Sequence, residues 1–112
     1  MDEFVHFAFK IAKSFPKEEI FSTTSQFKRA ALSVILNYIE GIARRKLAVQ
    51  LNFFEISYGS FKESKYLLHF TYKEEWISVD NYNFGLQLAE EIGAMLWSEI
   101  MSVEKEIENK KC

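Results

Sequence analysis

Phe27–Arg45 reads FKRAALSVILNYIEGIARR, and the pattern in these residues decides the fold. On a helical wheel at about 100° per residue, Arg29, Glu40, Ser33, Arg44 and Asn37 fall, in that angular order, within an arc of roughly 80°. Outside that arc nearly everything is apolar: Ala30, Ala31, Leu32, Val34, Ile35, Leu36, Tyr38, Ile39, Ile42 and Ala43. A surface helix normally shows a narrow apolar stripe on a polar cylinder. Here the proportion is reversed, so the expectation is a helix enclosed by its neighbours, with one polar seam that needs partners. Leu32, Leu36 and Ile39 standing in solvent on a lone protomer would end that expectation, and the assembly inferred from it.

The totals around this stretch fit a helical protein. The chain has 112 residues, enough for one domain over residues 1–112 with a core that needs no staples. Eleven Phe, one Pro and four Gly mean many large core side chains and few breaks, which favours long helices over short strands. The formal net charge of −2 gives no overall field pulling the protein onto nucleic acid. Cys112, the only cysteine, cannot form an internal disulfide, so a reducing compartment is expected. No apolar run approaches ~18 residues, and Lys10 and Lys13 interrupt the apolar N-terminal residues, so neither a membrane span nor a signal peptide is expected. The expected location is the cytoplasm.

Outward from the central helix, Phe4, Ala8, Ile11 and Phe15 mark a first helix over residues 2–15, acidic at its start and basic towards its end. Pro16 stops it, and Pro16–Phe21 suits a single turn. Thr23 and Gln26 have the spacing of a capping box for helix two, placed at 23–45. Gly41 inside it points to close backbone approach or a bend, and Arg44, Arg45 and Lys46 suit its last turn. Helix three is placed at 47–73, with Leu47, Leu51, Phe54, Tyr58, Phe61, Leu68 and Tyr72 in a four–three rhythm that Lys65 interrupts. Phe53, Ile56, Leu67 and Phe70 make a second strip, and Gly59 and Ser60 are small enough to admit a neighbour. Trp76 and Ile77 are expected to plug one end of the bundle. Asp80 reads as the N-cap of helix four, 80–109, which carries Tyr82, Leu86, Ala89, Gly93, Leu96, Ile100, Val103 and Ile107. Residues 110–112 are expected to fray. Four helices with short connections give an all-α, antiparallel up-down-up-down bundle. The surplus apolar surface on helices two and three predicts self-association; a short, fat bundle that absorbs it internally is the alternative.

The segment KRAALSVILNYIEGIARR resembles the signature of the bacterial four-helix bundle protein family, whose members were first recognised as reading frames in intervening sequences of 23S ribosomal RNA genes. Arg29, Ala30, Ala31, Ser33, Val34, Asn37, Glu40, Gly41 and Arg44 match the pattern R-R-A-A-x-S-[IV]-P-x-N-I-A-E-G-x-x-R. Upstream, Ser14–Gln26 is similar to the family's F-P-x-E-E-x-F-x-L-T-S-Q. Downstream, Phe53, Ile56, Gly59, Ser60 and Glu63 resemble its F-L-x-I-A-x-G-S-x-x-E stretch. Ile35 stands where the family has Pro, Tyr38 and Ile39 replace Ile-Ala, and Ser57 and Ser64 replace Ala and Leu. Without the Pro kink the second helix should run straighter than in relatives. The resemblance implies a left-handed bundle and a homo-pentamer around a central channel. A related branch, the accessory proteins of diversity-generating retroelements, adds nucleic acid and a reverse transcriptase as candidate partners.

The residues themselves bear on four kinds of chemistry. The polar seam of Arg29, Ser33, Asn37, Glu40 and Arg44 has natural partners in Ser60 and Glu63 on helix three, with Arg29 or Arg44 against Glu63 as a charge-assisted contact. A buried network setting register and assembly is expected there, ahead of a ligand- or pore-lining site and of a catalytic one. Metal binding is not expected: Glu3 and His6 form one E-x-x-H pair, no second pair exists, and His69 has no carboxylate three residues before it. No nucleophile elbow or phosphate-cradling loop is present, so neither enzyme activity nor a cofactor is expected. Phosphate binding is the serious functional alternative. Lys28–Lys46 carries net charge +4 and Leu86–Cys112 net −3; Arg44, Arg45 and Lys46 repeated around a symmetry axis would form a basic collar. Against it stands the plainer reading, in which these cations cap helix dipoles and pair with acids on helix four. The sequence therefore points to a non-enzymatic oligomeric scaffold or accessory protein, with a purely structural bundle as its competitor.

Overall fold

The computed structural model describes residues 1–111. Among them are four α-helices and no strand: α1 Asp2–Ala12, α2 Ser25–Ile42, α3 Leu47–Lys73 and α4 Val79–Lys110. A 3₁₀ turn, Lys17–Glu19, and a π-helical turn, Ile20–Thr24, form the corner between α1 and α2. Lys110 is the last helical residue and Lys111 a turn, while Cys112 and its part of the expected fraying lie outside the described residues.

Local chemistry explains where the ends differ from expectation. α1 stops at Ala12, short of Phe15. The residue before a proline avoids helical backbone, and the Ser14 hydroxyl donates to the Ile11 carbonyl at 2.7 Å, occupying an acceptor of the last turn. The capping box at Thr23 does not form, because Thr23 Oγ1 donates instead to Glu19 Oε1 at 2.8 Å. Gln26 is likewise engaged elsewhere, its Nε2 lying 3.3 Å from Glu63 Oε2. α2 ends at Ile42, so Arg44, Arg45 and Lys46 occupy the connection to α3 and not a last helical turn. Ser78, not Asp80, caps α4: its hydroxyl accepts from the Asn81 N–H at 3.1 Å. Asp80 sits in the first turn, where its charge meets the helix dipole.

α3 runs over its expected range and closes with a Schellman turn. The Trp76 N–H bonds to the Thr71 carbonyl and the Glu75 N–H to the Tyr72 carbonyl, both at 2.9 Å, with Glu75 left-handed at φ 64°. That turn delivers Trp76 onto Phe15 and Phe70, at centroid distances of 5.6 and 5.8 Å. Ile77 is buried beside them, so the two residues do close that end of the bundle.

The core consists of two clusters. The larger contains Phe4, Ala8, Ile11, Phe27, Val34, Phe61, Leu68 and Leu96. The smaller, of Phe54, Ile100 and Val103, lies further along α3 and α4. Register is fixed by a few close pairs. Along α2 and α3, Gln26 meets Glu63, Ser33 meets Ser60, Val34 meets Ser57, and Gly41 faces Phe54. Along α3 and α4, Gly93 faces Phe61, Gly85 faces Leu68, and Lys65 pairs with Glu90. The buried row of α3 is Phe54, Ser57, Phe61, Ser64, Leu68 and Thr71, a strict three–four alternation in which every second residue is small and hydroxylated. The rhythm expected through Leu47, Leu51, Tyr58 and Tyr72 runs along its flank.

One expectation is overturned. α2 is not enclosed: Leu32, Leu36, Ile39 and Ile42 stand 40%, 51%, 53% and 56% exposed. The polar arc is not opposite the core but beside α3, where Ser33 meets Ser60. The wide apolar remainder is therefore divided in two. Phe27, Ala30, Ala31, Val34 and Gly41 face inward, and the other half faces out. No assembly follows from an enclosed helix; it has to be argued from this outward face.

Candidate functional site

The residues of the polar seam gather along the α2–α3 flank. Asn37 Nδ2 donates to Ser33, reaching both its carbonyl and its hydroxyl oxygen at 2.9 Å. Ser60 Oγ donates to Ser33 Oγ at 2.9 Å. These three are half-buried, whereas Arg29, Glu40, Arg44 and Glu63 are exposed. Arg44 pairs with Glu40 one turn earlier on its own segment and lies over the Phe53 ring at 5.2 Å. Glu63 is engaged by Gln26, so the arginine–Glu63 contact is not made. On the protomer the seam is a half-wet ladder and not a buried network.

The basic corner of Arg44, Arg45 and Lys46 is exposed, Arg44 at 45% of its side chain. The Arg44 carbonyl accepts from Gln50 Nε2 at 2.8 Å, which fixes the backbone of the connection against α3. Arg45 and Lys46 make no ion pair among the described residues, and none of the three cations reaches an acid on α4. Two cations thus stand at this corner exposed to solvent.

His6 lies 3.3 Å from Asp2 on the open surface, and His69 is exposed beside Tyr82. Among the described residues no group of three or more His, Cys, Asp or Glu side chains is placed to hold a metal ion. No helix there is long and apolar enough to cross a membrane.

Four features escaped the sequence reading. Ser57, Ser64 and Thr71 are fully buried and satisfied, Ser57 donating to the Val34 carbonyl across the helix pair at 2.6 Å. Their seven-residue spacing was the available signal. Tyr38 Oη donates to Glu99 Oε1 at 2.9 Å, tying α2 to α4; desolvation, then the hydrogen bond to Glu99 and the charge of Glu99, raises the phenol above its ordinary value of 10.0. Thr24 Oγ1 is buried with no hydrogen-bond partner among the described residues. Phe21 is 96% exposed on the π-helical turn, a position that no periodicity assigns. Beside it, hydrogen bonds from Thr23 and Ser22 hold the Glu19 carboxyl below its ordinary value.

The comparisons agree with the architecture. The model of the family described as 23S rRNA-intervening sequence protein matches residues 1–98. A crystal structure of a protein of unknown function from the S23 ribosomal protein family of Bacteroides thetaiotaomicron superimposes with a TM-score of 0.77 at 24% identity, over 88% of this chain and 95% of that one. At that identity the likeness concerns the fold. No curated protein matches the sequence.

Proposed function

We propose that this chain, which belongs to the 23S rRNA-intervening sequence protein family, is a non-enzymatic accessory scaffold that works as a symmetric homo-oligomer in the cytoplasm. The observation that carries the reading is the outward face of α2, with Leu32, Leu36, Ile39 and Ile42 all exposed along one helix. Single exposed leucines are ordinary, but a row of four large aliphatic side chains is the kind of surface that another protein surface covers. The polar ladder of Ser33, Asn37 and Ser60 borders this row and would orient the contact. Five subunits is the number suggested by the family resemblance.

Within each subunit the helices are read as an antiparallel up-down-up-down bundle of left-handed twist. Support for the direction comes from the pairs between α2 and α3, which ascend on one helix as they descend on the other. The three–four alternation of Phe54, Ser57, Phe61, Ser64, Leu68 and Thr71 supports the twist, because it is the spacing of left-handed coiled coils.

Sedimentation velocity tests the assembly. A species several times the 13.2 kDa protomer is expected, and Leu36→Glu with Ile39→Glu should reduce it to protomers with helicity unchanged. A wild-type protomer at micromolar concentration would overturn the reading.

A second reading concerns the partner and rests on Arg45 and Lys46, both exposed and without an ion pair among the described residues. Repeated by symmetry, they offer phosphate contacts to nucleic acid, or to nucleic acid held by a reverse-transcriptase-type protein. Gel shifts at low and high salt test it. Affinity should fall steeply with salt, and Arg45→Ala with Lys46→Ala should flatten that slope. A salt-independent affinity would leave the purely structural bundle.

A further inference from the structure

Two surfaces on the protomer carry opposite charge around apolar centres. The first is the corner between α1 and α2. Phe21 projects there at 96% exposure, and the cleft beside it is lined by Ala12, Phe15, Ile20 and Thr24 with Lys13, Lys17 and Lys28. No carboxylate lines that cleft. Of the two acids on the turn, Glu19 is tied to Ser22 and Thr23, while Glu18 is exposed. The second surface is a pit of about 200 Å³ between the start of α1 and the middle of α4. Met1, Phe4, Leu88, Ile92 and Met95 form its apolar wall, and Glu3 and Glu91 stand on its rim. At ~30 Å³ per water the pit has room for one large side chain. One surface is an aromatic projection among lysines, and the other is an apolar hole between glutamates.

We propose that Phe21 of one copy seats in the Met1–Phe4–Leu88–Ile92–Met95 pit of a second copy, with Lys13, Lys17 and Lys28 facing Glu3 and Glu91. The occupant is the chain itself, and the inference rests on the self-association argued above while assigning its anchor. A buried aromatic in a pocket, ringed by charged contacts that exclude water, is how binding energy is concentrated at protein interfaces. Opposite rim charges add encounter rate and register. The arrangement also accounts for a phenylalanine left 96% exposed on the protomer.

The test uses single-cysteine variants, with Cys112→Ser removing the native thiol. Phe21→Cys and Met95→Cys proteins, mixed and mildly oxidised, are expected to give a covalent dimer that neither gives alone. Phe21→Ser should weaken association at least tenfold by sedimentation, with helicity unchanged because the side chain touches little in the protomer. Lys17→Glu should weaken it as well, and mixing with Glu91→Lys should restore it. If the wild type sediments as an oligomer, yet no mixed cross-link forms and Phe21→Ser associates normally, the anchor is wrong and the α2 face stands. If the wild type is a protomer, both fall.

Discussion

Tyr38 lies between the two core clusters and packs against both. Its hydroxyl reaches Glu99, and the folded protein holds the phenol protonated above its ordinary value. The linkage has a definite sign. A raised folded value stabilises the native state fully below the unfolded value of about 10, and that stability is lost as pH rises through the folded value. Wild-type stability should therefore fall above pH ~10, and Tyr38→Phe should remove part of that slope. At neutral pH the same substitution should cost about 1 kcal/mol for the lost hydrogen bond. Urea titrations of both proteins across the alkaline range check it; identical slopes would detach Tyr38 from alkaline unfolding. Thr24 gives the opposite expectation. Its hydroxyl is buried with no hydrogen-bond partner among the described residues, so Thr24→Val replaces it by a methyl of similar shape and relieves a desolvation cost. A gain of about 1 kcal/mol in unfolding free energy, read as a higher urea midpoint, is expected, and a loss would mean that the hydroxyl has a partner in solution.

Glycine in a helix costs up to ~1 kcal/mol against alanine, so two helical glycines of opposite surroundings test how the elements pack. A Cβ on Gly41 would lie 2.6 Å from Cε1 of the buried Phe54 ring and 3.3 Å from Phe53 Cβ, so α2 and α3 touch through that glycine. Gly41→Ala should destabilise by about 1–3 kcal/mol despite its better propensity. Gly59, exposed on α3, has nothing within 4 Å of it; within the protomer it admits no neighbour, and Gly59→Ala should stabilise the protomer by about 0.5–1 kcal/mol. Thermal melts of the pair check the contrast, and two changes of one sign would mean that the α2–α3 contact is misplaced. The same helices show what was readable in advance. The limits of α3 followed from a pattern sustained over its whole length with Lys65 its one interruption, and the plug of Trp76 and Ile77 from large apolar side chains in a short connection. The outward face of α2 was misread because periodicity counts apolar residues around a helix without saying which have a neighbour. The row Ser57, Ser64, Thr71 was passed over because hydroxyls look polar until a helix comes close enough to satisfy them. Phe21 had no signal, since a π-helical turn has no repeat to read.

Across the whole molecule the helices are unequal, and the protomer tapers. Its extents are 54 × 24 × 18 Å, the long axis being close to the ~48 Å of a 32-residue helix. α1 has 11 residues, about 16 Å, so it covers only part of that length. The larger cluster lies where α1 contributes Phe4, Ala8 and Ile11; the smaller draws its buried residues from α3 and α4 alone. Burial per residue is therefore lower at the end holding Leu47, Phe54 and Ile107, and opening there exposes less apolar surface than opening around Leu68 and Leu96. Amides of Leu86–Leu96 should then exchange slowest with solvent. Those of Met101–Ile107 should exchange about ten- to a hundredfold faster, an opening free energy lower by about 1.4–2.8 kcal/mol. The measurement is native-state hydrogen exchange by mass spectrometry, made at a dilution where only protomers sediment. Raising the concentration should slow exchange along α2 around Leu36 and Ile39 if that face is the one covered. Uniform protection along α4 at high dilution would mean that the two clusters open as one unit, and that the bundle holds its far end together without a fourth helix beside it.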